Sequence, residues 1–152
     1  MRDEEGELIH GSAALVGEYG VLVRGASGSG KSSVVRALMD RASYGGVFAA
    51  LVSDDQCAVR EMSGRLLCTA PGTLQGGLEV RGSGLHRVDF EKSAILHLLV
   101  DLGEPNQSVR FGEDAVTHLQ GVAIGHLILP KWEIEGACRA IEARLFLPVW
   151  KK

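Results

Sequence analysis

The sequence predicts an α/β domain with a central mixed β-sheet flanked by helices, a strand-rich middle and a C-terminal helix. Three observations carry that prediction. The apolar run "VLVR" (Val21 to Arg24) leads straight into the glycine-rich "GASGSGKSS", and that stretch opens a segment whose apolar residues recur at helical spacing. The middle of the chain alternates short apolar runs with breaks containing glycine or proline. Near the end, Ile134, Ala137, Cys138, Ile141 and Leu145 fall on one helical stripe.

Taken in order, "LIHGSAALV" (Leu8 to Val16) and Val21 to Arg24 read as the two strands of a β-hairpin around "GEYG". Val34, Val35, Leu38 and Met39 then predict a helix from Lys31 to Arg41. "VFAALVSDD" reads as a buried strand ending in two carboxylates, expected to lie parallel beside the first after a right-handed crossover. Two short strands are expected around Ser63-Gly64, then a turn at Pro71-Gly72 and the strand "GLEVRG". "AILHLLVDL" is a further buried strand, "GEPNQSVRFGED" a polar loop, and "AVTHLQGVAIGHLILP" one or two strands. Glu133 and Glu135 suit the N-terminal end of the closing helix, where the dipole favours negative charge. Trp132 and Trp150 read as packing anchors or interface residues.

At 152 residues the chain supports one domain with a real core, and residues 1–152 are expected to form a single domain. A formal net charge of −3 argues against a broad electrostatic grip on nucleic acid. No apolar run approaches the length that spans a bilayer, and the acidic start "MRDEEGELIHG" is unlike a secretory signal, so a cytoplasmic protein without a membrane partner is expected. Cys57, Cys68 and Cys138 are odd in number and contain no CxxC pair, which predicts reduced, buried thiols rather than a disulfide framework or a zinc site.

Gly25 to Ser32 match the phosphate-loop (P-loop, Walker A) pattern G-x-x-x-x-G-K-S. In that pattern backbone amides wrap phosphate oxygens, the lysine reaches the outer phosphates and the hydroxyl serves Mg²⁺. Gly25, Ala26, Ser27, Gly28, Ser29, Gly30, Lys31, Ser32 and Ser33 are therefore the expected nucleotide-binding set. Asp54 and Asp55 end an apolar strand, where such proteins place a carboxylate near the metal. Neighbouring strand residues face opposite ways, so both reach one site only if the chain turns there, one as base and the other as orienting partner. Glu79 and Arg81 share a strand face. Glu79 completes a magnesium shell or Arg81 holds phosphate, unless the two form a surface ion pair. A two-residue hairpin turn at Glu18-Tyr19 puts His10 beside Ser27, where an imidazole donates to phosphate or assists a carboxylate base. Arg110, in the polar loop, is either a cation that swings over a transferred phosphoryl group or an exposed loop arginine.

Together His10, "GASGSGKS", "LVSDD" and "LEVRGSG" resemble, in order and in spacing, HPr kinase/phosphorylase, the bacterial regulator of carbon metabolism that acts on a serine of the phosphocarrier HPr. The resemblance covers roughly residues 8 to 130. It implies a P-loop kinase-like fold and an ATP-dependent protein-serine kinase that also removes the seryl phosphate with inorganic phosphate, releasing pyrophosphate. By the same resemblance Lys31 is the phosphate-binding lysine, and Ser32 and Glu79 serve magnesium. Asp55 accepts the proton in the kinase direction and donates it in reverse, His10 assists that carboxylate, and Arg110 matches an arginine of the later loop. HPr is the implied protein partner and a homo-oligomer, hexameric in longer members, the implied assembly. The chain looks like a minimal version without the separate N-terminal domain, and "LILPKWEIEG" stands where the family carries a "PVRPGRN" type segment. A small-molecule kinase and a non-catalytic nucleotide sensor are the competing readings.

Overall fold

The computed structural model describes residues 2–3, 6–104 and 115–150. In chain order the elements are β1 (Arg2–Asp3), β2 (Gly6–Val16), β3 (Tyr19–Arg24), α1 (Lys31–Tyr44), β4 (Ala49–Ser53), β5 (Gln56–Met62) and β6 (Arg65–Thr69). After a 3₁₀ turn at Gly72–Leu74 come β7 (Gly77–Val80), β8 (Gly84–Arg87), β9 (Ser93–Gly103), β10 (Val116–Leu119), β11 (Val122–Pro130) and α2 (Ile134–Phe146). Nine strands make one mixed sheet, and β7 with β8 forms a separate hairpin.

Two long strands give the sheet its shape. The first half of β2 pairs with β5 and its second half with β3 and β4, while β9 pairs with β6 at its start and with β3 and β11 beyond. Since β5 also pairs with β6, the strands β2, β5, β6, β9 and β3 close a ring. That ring encloses one apolar core, including Ala13, Leu22, Cys57, Val59, Leu66, Cys68 and Leu99. The other face of the sheet carries a second core in which Val21, Val23, Leu98 and Val100 meet α1 and α2. Both helices therefore lie on the same face. The helix α1 buries Val34, Val35, Leu38 and Ala42, and α2 buries Ala137, Cys138 and Ile141, as the helical stripes require. Arg41 donates two hydrogen bonds to Glu142, at 2.9 and 2.7 Å, which ties the two helices together on the solvent side.

The hairpin, the strand pair around Ser63-Gly64 and the two strands after the polar loop form as expected. Three expectations change. The hairpin turn is Gly17-Glu18, with Val16 opposite Tyr19, because the first turn position has φ +62°, which glycine adopts without a steric penalty and Glu18 would not. The register thus differs from the expected one, and His10 pairs with Gln56 of β5 instead of lying beside Ser27. The strand β4 is not beside β3; it pairs antiparallel with the outer part of β2, because the other edge of β3 is taken by β9. Trp150 is 85% exposed, so of its two readings the packing anchor falls and the interface residue stays open. The three cysteines are buried free thiols. No helix among the described residues is long and apolar enough to cross a membrane.

Candidate active site

The loop between β3 and α1 is held by its own geometry. Gly28 and Gly30 have φ of +80° and +101°, and a Cβ at Gly28 would point into open space. Gly30 also caps α1 without a side-chain hydrogen bond, and the first turn of that helix carries no acid, so its free N–H groups and the positive end of its dipole are open to an anion. Lys31 is only 5% exposed, yet its ammonium donates merely to the carbonyls of Gly25 and Ala26, at 3.1 and 3.3 Å. Among the described residues it has no carboxylate partner; a buried cation so placed is costly, and an anion in front of it removes that cost. The Ser29 hydroxyl is buried and has no partner among the described residues.

The two adjacent acids occupy the connection between β4 and β5, and the chain does turn there. Asp55 takes φ +69°, Gln56 N–H donates to the Asp54 carbonyl at 2.8 Å, and the Ser53 hydroxyl donates to the Gln56 carbonyl. That turn sends the two carboxylates into different environments. Asp54 is 8% exposed and is the polar centre of the site. Its Oδ1 accepts from the hydroxyls of Ser12 at 2.7 Å and Ser32 at 2.5 Å, and its Oδ2 accepts from Glu79 N–H at 3.0 Å. The Ser12 oxygen in turn accepts from Asp55 N–H at 3.0 Å. One carboxylate thus fixes β2, α1, the acidic turn and β7 against each other. Asp55, by contrast, has a side chain 62% exposed, with His10 Nε2 at 2.8 Å from its Oδ1.

A cleft of about 390 Å³ brings together Ser27, Gly28, Gly30, Lys31, Ser32 and Ser33 from the loop and helix, Asp54 and Asp55 from the turn, and Glu79, Arg81 and Trp132. Gly25 and Ala26 support it through their carbonyls, and Ser29 lies beneath. Of the residues singled out in the sequence, Arg110 falls outside those described. Ser12 was missed: the only signal was a hydroxyl residue inside an apolar strand, and it is fully buried. Trp132 was read as a packing anchor or an interface residue, and it lines this cleft, with the Arg81 guanidinium carbon 4.9 Å from its ring centroid.

The donor set fits a hard cation shared with a phosphate chain. Ser32, Asp54 and Glu79 offer oxygen only, and among the described residues no group of three or more His, Cys, Asp or Glu forms a cage. Magnesium is characteristically held in that way, by one or two carboxylates plus substrate oxygens.

The family model described as HPr Serine kinase C-terminal domain matches residues 4–134. HPr kinase/phosphorylase of Clostridium tetani (strain Massachusetts / E88) is 36% identical over 77 residues, which are 51% of this chain and 23% of that protein. The protein of that name from Clostridium novyi (strain NT) is 38% identical over 77 residues, again 51% of this chain and 23% of its own length. The matched stretch thus spans about a quarter of these relatives. Among solved structures, the Hpr(Ser) kinase/phosphatase from Coxiella burnetii shares the fold with a TM-score of 0.74 at 20% identity, over 91% of this chain and 88% of that one.

Proposed function

This chain belongs to the HPr serine kinase C-terminal domain family, and on that premise we propose that it is an ATP-dependent protein-serine kinase for HPr. In this reading residues 1–152 act as one catalytic unit, in the cytoplasm and as a homo-oligomer. The observation that carries the reading is the exposed His10–Asp55 pair, 2.8 Å apart, at the mouth of a cleft whose floor is the buried Lys31. A carboxylate open to solvent at 62% is accessible to a hydroxyl presented by another protein, whereas Asp54 is not.

In the forward direction the serine oxygen of HPr attacks the terminal phosphorus of ATP, its proton passes to Asp55, a new oxygen–phosphorus bond forms and ADP departs. His10 holds the Asp55 oxygen in place. Lys31 offsets the negative charge of the outer phosphates, which in a low-dielectric cleft is worth more than in water. Ser32 and Glu79, with Asp54 behind them, would hold magnesium, which would supply further neutralisation of phosphate charge. Arg110 is assigned to the transferred phosphoryl group as an additional cation. In the reverse direction inorganic phosphate occupies the loop, its oxygen attacks the seryl phosphate, Asp55 returns the proton to the serine oxygen, and pyrophosphate leaves.

The test incubates the purified protein with Mg-ATP and HPr from the same organism, locates the phosphorylated residue by mass spectrometry, then adds inorganic phosphate. Serine phosphorylation followed by its loss with pyrophosphate release is the expected result. Nucleotide binding without phosphorylation of folded HPr overturns the reading and leaves a nucleotide sensor or another substrate.

A further inference from the structure

Trp132 combines three features that its place in a connecting segment does not require. Its backbone sits at φ +64°, a conformation that a bulky residue without a short polar side chain rarely holds and that persists only when its surroundings enforce it. Its ring packs on the phosphate loop itself: a Cβ added to Gly30 would meet the indole at 3.5 Å. It also meets the guanidinium of Arg81, 4.9 Å from the ring centroid. Arg81 is exposed, and among the described residues it makes no ion pair or hydrogen bond. Both side chains line the cleft that also contains Lys31 and Ser32.

From these we infer that Arg81 binds a phosphate group in the cleft and that Trp132 is the positioning residue that holds it there. The indole binds the cation without consuming any of its five N–H donors, so they stay available for the paired hydrogen bonds that phosphate oxygens accept. A long arginine in the turn just after β7 would otherwise sample many rotamers in solvent, and ordering it would weaken phosphate affinity. The strained backbone of Trp132 directs the ring over Gly30 and towards Arg81, which ties the segment before α2 to the phosphate loop. This inference rests on the reading that the cleft takes phosphate, and it adds a residue that nothing in the phosphate-loop pattern contains.

The measurement is a titration with Mg-ATP and, separately, with inorganic phosphate, read by calorimetry and by the emission of Trp132 in a Trp150→Phe background. The exposed Trp150 is the only other tryptophan, so Trp132 then reports alone. Arg81→Gln should weaken binding by about 10- to 100-fold, the usual loss of a charge-assisted hydrogen bond. Trp132→Leu should weaken it by about two- to fivefold, the worth of an exposed cation–π contact. The decisive readout is the double variant: in the Arg81→Gln background the Trp132→Leu change should have no further effect, because the indole acts through the arginine. Trp132→Gly, which relieves the left-handed backbone, repeats the cycle should the leucine variant melt early. An equal Trp132→Leu effect with and without Arg81, or wild-type affinity in either single variant, overturns the inference while leaving the cleft as a phosphate site. Wild-type protein that binds neither ligand overturns both. Binding that follows the expected pattern without phosphorylation of HPr upholds this inference and refutes only the proposed substrate.

Discussion

Exchanging each of the two neighbouring acids for its amide should separate a structural carboxylate from a reactive one. Asp54 is 8% exposed and accepts three hydrogen bonds, from Ser12, Ser32 and the Glu79 amide. In Asp54→Asn the amide group faces either the Glu79 N–H or the two hydroxyls, so in both orientations at least one of the three donors loses its acceptor. Leaving one buried donor unsatisfied costs about 1 to 3 kcal/mol, and turning the remaining charge-assisted bonds into neutral ones adds about 1 kcal/mol. Relief from burying a charge offsets part of this. The expected loss is about 2 to 3 kcal/mol, or roughly 5 to 10 °C in Tm for a domain of this size. Asp55→Asn removes no buried contact among the described residues, where its side-chain partner is the half-exposed His10, and asparagine tolerates the left-handed backbone at φ +69°. Its stability should stay within about 0.5 kcal/mol of wild type. Phosphoryl transfer to HPr, however, should fall by about 10² to 10⁴ with Mg-ATP binding retained, the usual cost of removing a general base. Urea unfolding followed by circular dichroism, paired with single-turnover transfer, measures both quantities. Equal destabilisation by the two variants, or wild-type transfer in Asp55→Asn, refutes the division of roles.

Lys31→Met keeps the buried stem and removes a charge that among the described residues has only carbonyl partners, so melting at or above the wild-type temperature is expected, together with loss of nucleotide binding by calorimetry. Burial pushes the Cys138 thiol up to about 11, with Arg41 opposing and Glu142 and Glu135 adding to the shift. Because its folded value lies above the ordinary 9.0, the stability it contributes is complete below pH 9 and is lost as pH rises through 11. Denaturation curves should therefore weaken in that alkaline window and do so less steeply in Cys138→Ala, while Cys57, held well above its ordinary value by its hydrogen bond with Cys68 and by burial, keeps its own contribution. Arg110→Gln should lower the single-turnover transfer rate by at least tenfold without changing Tm; an unchanged rate returns that arginine to the surface.

A further pair of groups shows how the loop is braced from behind. Arg24, the last residue of β3 before the loop, donates to both oxygens of Asp101 on β9, at 2.8 and 2.9 Å, and His126 of β11 lies 2.7 Å from Asp101 Oδ2. Burial pushes the Asp101 carboxyl up, but the bonds from Arg24 and His126 outweigh it and hold the group below the ordinary range. The three parallel strands are thus locked together where the glycine-rich loop leaves the sheet.

The glycine-rich loop, the helix that follows it and the buried strand ending in two acids were legible in the sequence because each is a local pattern: spacing within a few residues fixes loop geometry, helix face and strand burial. The order of the motifs was also enough to indicate the family. Contacts between distant positions were not legible. His10 reaches Asp55 across 45 residues and Ser12 reaches Asp54 across 42, and both depend on the pairing of β2 with β4 and β5, which no local pattern specifies. In the hairpin itself, a register displaced by two residues leaves the alternation of faces unchanged, so the sequence alone does not distinguish a turn at Glu18-Tyr19 from the one at Gly17-Glu18. Likewise, Asp54 and Asp55 are the same residue type in adjacent positions, and only the tertiary structure decides between them, by burying one among three donors and turning the other to solvent at φ +69°. Trp132 reaches the cleft for the same reason. Helical and strand periodicity say which face of an element is buried, but which elements share that face is decided by how β2 and β9 bend the sheet into two cores.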